Sequence, residues 1–291
     1  MNRRRKLLMM MSGGISATKL FNDFKARVTA DGGTISDEAF ILSFFQMVVQ
    51  AKAVKYCQDH AIVLFPEARR LTVSTTNVNK KYSLFDPAYD ATQTSAGIQP
   101  ALISADRNGR DAVDYVDGRR MSLLNSKALD FTRNTDYIEI AGVHNSDSTA
   151  LVPYFIIFST NSSTDAIRAA LGNAGGDDAM SARRIDTDDL VRASASRISN
   201  YRYMSGRNRY DLGEVRLFRN NSEIASNDSL TKGMTENTSS LSITIGARRD
   251  GLTGTILNGK VLPVIAFNAQ VPPSFRTALD TFIMNAYNLP A

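Results

Sequence analysis

The chain has 291 residues, of which 43% are apolar, and a net charge of +5 from 34 Lys and Arg against 29 Asp and Glu. This length and apolar content allow a sizeable core. The charge is too small and too evenly spread to indicate nucleic-acid binding. The single cysteine, Cys57, excludes an internal disulfide and a zinc site built from cysteines. No apolar run reaches the ~18 residues that cross a membrane, so we predict no membrane insertion.

Residues 1–15 are basic and then apolar. The run from Leu7 to Met11 is shorter than the roughly 7–15 residues of a signal-peptide core, and no A-x-A-like cleavage site follows it. We therefore interpret this segment as an arm that packs on a neighbouring protein, with an arm packed on its own domain as the alternative. The predicted contacts are Arg3, Arg4, Arg5, Lys6, Leu7 and Leu8.

Residues 16–60 have helical periodicity. Leu20, Phe24 and Val28 recur at helical spacing, "ADGGT" ends that helix, and Ser36, Asp37 and Glu38 precede a second one. The second helix is apolar on more than one face, which indicates burial in its own chain or in a subunit contact. We predict a helical attachment segment in which Phe44 and Phe45 contact a partner.

Short strands separated by turn-forming residues begin at Ala61. Runs such as "AIVLF", "DYIEIAGV", "EVRLFRN", "LSITIGA" and "VLPVIAF" are four to nine residues long, a pattern typical of an antiparallel sandwich or jelly roll. "TDAIRAAL" is interpreted as a short helix and "GNAGGDDAM" as an exposed loop. "PPSFRTALDTFIMNAYN" predicts a C-terminal helix. Residues 61–291 thus form one predicted domain.

Several of these segments resemble a known family in their order and spacing. "DATQTSAGIQPALI" and "NGRDAVDYVDGRRMSL" are similar to the entry strands of laminin G-like, concanavalin A-like jelly rolls, and "ITIGARRDG" with "LNGKVLPVIAF" is similar to their end. Tyr115, Gly246, Ala247 and Gly259 stand at the matching positions. The resemblance covers residues 85–291 and implies a mainly β jelly-roll sandwich. The segment 164–194 and the lack of tryptophan depart from the family.

A second resemblance concerns the amino-terminal segments. "FNDFKARVTADGGTISDEAFI" is similar to the helical pair that precedes such domains in tailed-bacteriophage virion proteins, and "RRRKLLMMMSGG" to openings in phages of gut bacteria, such as the crAss-like phages. This implies a structural virion component, assembled in the host cytoplasm. It would join an oligomeric assembly by binding capsid, portal or tail proteins. The alternative is an adhesion module that binds host-surface glycans.

No catalytic site is predicted. Asp136 and Glu139 fall on opposite faces of a regular strand and cannot share the cleft that a glycosidase requires. Cys57 and His60 could touch on a helix, but no orienting partner or oxyanion loop accompanies them.

The acidic loops in the second half of the chain are the candidates for metal binding. We interpret the acidic residues of these loops as solvated side chains with helix-capping roles, and we assign no cofactor and no metal ligand. The acidic residues are Asp147, Asp177, Asp178, Asp186, Asp188 and Asp189. The alternative is a rim Ca²⁺ site of the kind the laminin G-like resemblance implies.

Aromatic and basic residues alternate in "SNYRYMSGRNRYDLGE". This composition suits stacking on sugars or contacts with carboxylates and phosphates. We predict a glycan or partner surface here, extended by the turn in "ITIGARRDG", with a solvent-facing strand as the alternative. Its residues are Tyr201, Arg202, Tyr203, Arg207, Arg209, Tyr210, Arg248 and Arg249.

Overall fold

A computed structural model describes residues 15–73, 75–123, 131, 134–146, 154–160, 167–174, 176–185, 187–235, 241–246 and 259–290. Four α-helices lie in these ranges: α1 Ala17–Ala30, α2 Glu38–Gln50, α3 Val54–His60 and α4 Pro273–Ala286. The side chain of Ser16 caps α1 by accepting from the Lys19 amide, and Asp37 caps α2 in the same way. The predicted helix starts and the C-terminal helix are therefore confirmed.

The strands of the described residues are short and antiparallel. They are β1 Thr34–Ile35, β2 Ala61–Leu71, β3 Val78–Ser83, β4 Ala91–Thr92, β5 Ala101–Arg107, β6 Arg110–Tyr115, β7 Met121–Leu123, β8 Tyr137–Ser146, β9 Tyr154–Thr160, β10 Ile167–Ala174, β11 Asp177–Ala182, β12 Val191–Ser196, β13 Arg202–Arg209, β14 Glu214–Arg219, β15 Ser222–Asn227, β16 Leu241–Ile245 and β17 Gly259–Phe267.

Hydrogen-bond pairing arranges these strands in two layers joined through β2. In the first layer β17 lies between β2 and β6 on one side and β8 on the other, and β8 continues to β13, β14 and β15. In the second layer β3, β4, β7, β16, β9, β10, β11 and β12 follow one another. The mainly β, antiparallel jelly-roll sandwich with amino-terminal helices and a C-terminal helix is confirmed.

Two apolar cores cover the two faces of the first layer, because successive residues of a strand point to opposite sides. The inter-sheet core contains Ile62 and Leu64 of β2 and Met204 of β13, together with residues of the second layer. The helix-side core contains Val63 and Phe65 of β2 and the buried stripes of the helices. The central strands of the first layer, β2, β17, β8 and β13, are therefore buried on both faces, and the helices belong to the same core as the sheet.

Phe44 and Phe45 are not available to a partner, which corrects that prediction. They are 0% and 1% exposed. The Phe44 ring lies 5.1 Å from that of Phe65, and the Phe45 ring lies 5.6 Å from that of Phe85. The apolar faces of α2 contact this chain's own sheet and helices, which explains why more than one face is apolar.

The segment from Ile167 to Ala182 also differs from prediction. "TDAIRAAL" was predicted as a helix and "GNAGGDDAM" as a loop, yet they contribute the β10–β11 hairpin, with Leu171 opposite Met180. Ala169 and Ala170 are both fully buried, on opposite faces of β10. Tertiary burial therefore overrides the helix propensity of an Ala- and Leu-rich sequence.

Gly246 ends β16 where only a glycine fits. Its φ of +94° lies in the left-handed region, and a Cβ there would overlap the ring of the buried Tyr115. Arg248 and Arg249, which follow in the predicted rim turn, lie outside the described residues.

Candidate functional site

Three of the six described residues of the predicted aromatic and basic surface are buried. Arg202, Tyr203 and Tyr210 are 0%, 1% and 0% exposed, which corrects their assignment to a surface. The reason is that β13 is covered on both faces, by the second layer on one side and by the helices on the other. Tyr210 lies in the inter-sheet core and donates its hydroxyl hydrogen to the Arg168 carbonyl oxygen at 3.0 Å.

Arg202 belongs to a buried group that we call the inter-sheet ion cluster: Arg202, Asp178 and Arg219. Asp178, 0% exposed, accepts from Nε and Nη2 of Arg202, the latter at 2.6 Å, and from Nη2 of Arg219 at 2.7 Å. His144 is buried opposite Arg202 on β8. Burial, with the charges of the two arginines, holds the pKa of His144 well below its ordinary value, so it is neutral.

Tyr203 points to the other face and joins what we call the helix-side ion cluster: Glu139, Arg207, Arg276 and Asp280. The Tyr203 hydroxyl donates to Asp280 at 2.8 Å. Arg276 of α4 pairs with the buried Glu139. Burial raises the pKa of Asp280, whereas Arg276 and the Tyr203 hydrogen bond oppose that rise.

Arg207 and Arg209 are occupied by neighbours of the same chain. The Arg207 guanidinium lies 3.8 Å from the Phe218 ring centroid and 3.5 Å from a Glu139 oxygen. Arg209 pairs with Asp211 at 3.2 Å on the surface. The described residues of this predicted surface are therefore spread along both faces of β13, and Tyr201 among them borders a cavity.

That cavity has a volume of about 360 Å³. Its walls come from the end of β5, the end of β8, the loop before β13 and the residues after α4. The lining residues are Arg107, Asn145, Ile198, Asn200, Tyr201 and Pro290. We call it the Tyr201 cavity.

The Tyr201 ring is held in place through its hydroxyl group. Its hydroxyl donates to Asp106, whose other carboxylate oxygen accepts from Lys260. The Asp106 side chain is only 7% exposed, whereas Tyr201 itself is half-buried. An aromatic face fixed in this way can pack on an apolar ligand face with little loss of side-chain entropy.

Arg107 supplies a positive charge beside that ring. Its guanidinium carbon lies 5.6 Å from the Tyr201 ring centroid. Its Nε and Nη2 donate to the carbonyl oxygens of Tyr287 and Asn288 at 2.9 and 2.7 Å. Within the described residues its Nη1 makes no hydrogen bond, so the guanidinium is positioned and keeps donors for a ligand.

Asn145 and the loop before β13 complete the cavity. The Asn145 side-chain oxygen is buried and has no hydrogen-bond partner among the described residues. The inter-sheet ion cluster holds the loop, because Arg202 donates to the Asn200 carbonyl oxygen at 3.1 Å and Arg219 to that of Ser196. The cavity therefore combines a fixed ring, a guanidinium and an amide.

The residues considered as possible catalytic groups in the sequence have other environments and partners in the structure. Burial raises the pKa of the Cys57 thiol, and His60 bonds Asn268 at 3.0 Å instead. Glu139 is bound by Arg276 and Tyr137. In the part of the chain that the structure describes, no group of three or more His, Cys, Asp or Glu side chains could hold a metal ion. The helices in these ranges are too short or too polar to cross a membrane.

Several predicted residues lie outside the described ranges and keep their status as predictions. They are Arg3, Arg4, Arg5, Lys6, Leu7 and Leu8 of the arm, Arg248 and Arg249 of the rim turn, and Asp147 and Asp186 of the acidic loops. Conversely, Arg107 and Asn145 were not predicted. No motif marks them, since only the tertiary fold brings them beside Tyr201.

No protein-family model matches the chain, and no curated protein matches it in sequence. Among solved structures, the receptor-binding domain of the botulinum neurotoxin C/D mosaic serotype is 7% identical and has a TM-score of 0.51, covering 80% of this chain and 55% of that one. The Ruminococcus gnavus IT-sialidase CBM40 bound to α2,3-sialyllactose is 14% identical, with a TM-score of 0.43, covering 62% and 95%. The leech intramolecular trans-sialidase is 13% identical, with a TM-score of 0.47, covering 62% and 27%.

The neurotoxin likeness concerns the fold alone: a lectin-like β-sandwich. The matched part is about half of that domain, and about a quarter of the leech trans-sialidase.

Proposed function

We propose that this protein is a glycan-binding module and that the Tyr201 cavity binds acidic sugars. The observation that carries the proposal is the pairing of the fixed Tyr201 ring with the Arg107 guanidinium, 5.6 Å apart. A sugar ring has an apolar face that can pack on tyrosine. A sugar carboxylate matches the fork of donors on a guanidinium. The buried Asn145 oxygen would accept from a sugar hydroxyl or amide.

The surroundings of the cavity favour a negatively charged ligand. Arg107 lines it, Lys260 lies behind the ring, and Asp106 is already neutralised by Lys260. The fold adds support, since one solved domain with a similar fold is a receptor-binding domain. Binding of host-surface glycans, which was the alternative in the sequence analysis, is therefore the function that we propose first.

The structural role in a phage virion remains a separate proposal. It rests on the sequence resemblance and on the arm, whose residues lie outside the described ranges. Burial of Phe44 and Phe45 in this chain removes two of its proposed contacts. Cross-linking of intact particles, followed by identification of peptides linked to the arm, would test it.

A glycan array that carries sialylated, uronic-acid and neutral glycans tests the proposed function. We expect the full chain to bind acidic glycans, and Tyr201→Ala to weaken that binding about tenfold or more because the stacking face is lost. Arg107→Ala should reduce the preference for acidic over neutral glycans. Arg209→Ala is the matched control, since this arginine pairs with Asp211 away from the cavity.

Two results would refute the proposal. One is the absence of binding to every acidic glycan at millimolar protein. The other is equal loss of binding in Tyr201→Ala and Arg209→Ala, which would place the ligand elsewhere. Circular dichroism of each variant controls for misfolding.

A further inference from the structure

A second cavity lies between α4 and the turn that joins β14 to β15, and it differs in chemistry from the first. Its volume is about 370 Å³. We call it the amide cavity. Its polar lining consists of Asn220, Asn221, Ser222, Asp280, Thr281 and Asn285, and the side chain of Met284 adds an apolar part.

The turn side of the amide cavity is rigid. Asn220 and Asn221 have φ values of +47° and +67° between the paired residues Arg219 and Ser222, which is a two-residue type I′ hairpin. Asn220 is also tied to β13: its amide N–H donates to the Tyr203 carbonyl at 2.8 Å, and its side-chain oxygen accepts from the Tyr203 amide at 3.0 Å. The turn therefore presents its polar groups in a fixed position.

The helix side contributes a carboxyl group, that of Asp280, which Tyr203 and Arg276 hold in place. Asp280 is 3% exposed and lines the cavity. It accepts from the Tyr203 hydroxyl at 2.8 Å, and Arg276 lies 3.7 Å away. Thr281 and Asn285, one helical turn apart on α4, are exposed beside it. A carboxyl oxygen in this setting is an oriented acceptor for a ligand hydroxyl.

We propose that the amide cavity is a second binding site, for neutral hydroxylated ligands of the monosaccharide class. Each amide and hydroxyl group can both donate and accept, which matches the dual character of sugar hydroxyls. No lysine or arginine is among its lining residues, so nothing there pairs with a ligand carboxylate. Asp280 is the single carboxyl group of this lining, and it already lies beside Arg276, so the cavity offers little negative charge to a cation.

This proposal does not depend on the function proposed for the Tyr201 cavity. Saturation-transfer NMR on the full chain tests both, with methyl glycosides of glucose, galactose and mannose and with N-acetylglucosamine as neutral probes, and glucuronic and sialic acids as acidic probes. We expect signal transfer from at least one neutral probe, lost or weakened about tenfold in Asn285→Ala and in Asn221→Gly. The glycine keeps the left-handed turn and removes only the amide. Thr277→Ala, an exposed position of α4 outside the cavity, is the control.

The outcomes separate the two sites. Loss of neutral binding in Asn285→Ala, with Tyr201→Ala unchanged, supports the amide cavity even if no acidic sugar binds anywhere. The absence of signal transfer from every neutral probe overturns the proposal for the amide cavity. So does neutral binding that is lost in Tyr201→Ala and retained in both asparagine variants. Neutral binding that is also lost in Thr277→Ala overturns it as well, since that residue does not line the cavity.

Discussion

Arg202 and Tyr203 are neighbours on β13, yet they lead into two different regions of the molecule. Arg202 enters the inter-sheet ion cluster, which holds the loop of the Tyr201 cavity. Tyr203 enters the helix-side ion cluster, whose Asp280 lines the amide cavity. The first cluster has two arginines and one carboxylate, whereas the second has two arginines and two carboxyl groups. The balance of buried charge thus agrees with an acidic ligand in one cavity and a neutral one in the other.

The difference also suggests why charged groups are buried in this sandwich. A buried ion pair adds little net stability compared with a well-packed apolar pair, because desolvation offsets the attraction. Both clusters instead fix backbone or side chains at the edge of a cavity. We therefore expect each cluster to affect its own cavity and leave the other unchanged.

The largest expected effect is that of Asp178→Ala. Removal of this carboxylate leaves the fully buried Arg202 without its counter-charge, so the free energy of unfolding should fall by about 3–5 kcal/mol. Urea unfolding measures that change. Acidic-glycan binding should weaken as well, because the Ser196–Tyr201 loop loses its support, while neutral binding persists in the folded fraction.

Asp211→Ala is the control for Asp178→Ala. Asp211 pairs with Arg209 on the surface, with 41% of its side chain exposed, and its loss should cost under about 1 kcal/mol. Equal destabilisation by the two substitutions would contradict the role given to the inter-sheet ion cluster.

Two further buried ionisable residues, Glu67 and Lys81, provide a contrast to the two clusters, since neither side chain has a hydrogen-bond partner among the described residues. Burial raises the pKa of Glu67 to about 7 and lowers that of Lys81 to about 7. The Glu67 contribution to stability is thus present below its ordinary pKa and is lost as the pH rises to 7. The Lys81 contribution is present above its ordinary pKa and is lost as the pH falls to 7.

The contribution of this pair should therefore be smallest near pH 7, with a change on the order of 3 kcal/mol from Glu67 and on the order of 5 kcal/mol from Lys81. Urea unfolding at pH 4.5, 7 and 10 measures the free energy of unfolding of the unaltered chain and of each variant, and the difference between them at each pH checks this expectation. Relative to the unaltered chain, Glu67→Gln should gain stability between pH 4.5 and 7, and Lys81→Met should gain stability between pH 10 and 7. Parallel pH profiles for all three proteins would show that the pair does not titrate in this range.

Apart from the surface control Asp211→Ala, Tyr203→Phe should have the smallest effect on stability, about 1–2 kcal/mol, because it removes one hydrogen bond from a buried carboxyl group. The pKa of Asp280 should rise further, since that bond lowers it. Neutral-probe signals in saturation-transfer NMR should change, and acidic-glycan binding should not. A change confined to acidic glycans would reverse the assignment of the two cavities.

The helices and most strands could be predicted from the sequence because their signals are local. Ser16 and Asp37 are helix caps, and alternation marks strands such as β16. The β10–β11 hairpin could not, because its alanines favour a helix until both faces are covered. The burial of Arg202 was missed for the same reason: alternation does not show that both faces of β13 are enclosed. Tyr201 was found by composition, whereas Arg107 and Asn145 reach it only through the tertiary fold.

The position of β17 has a consequence for how the chain folds. Val264 pairs with Leu64 on one side and with Gly142 on the other, so the middle of the first layer is filled by a strand synthesised long after both of its neighbours. Such non-local pairing is slow, and it leaves the edges of β2 and β8 open until β17 arrives. Until β17 is made, each of these two edges presents unpaired backbone groups that can pair with another strand.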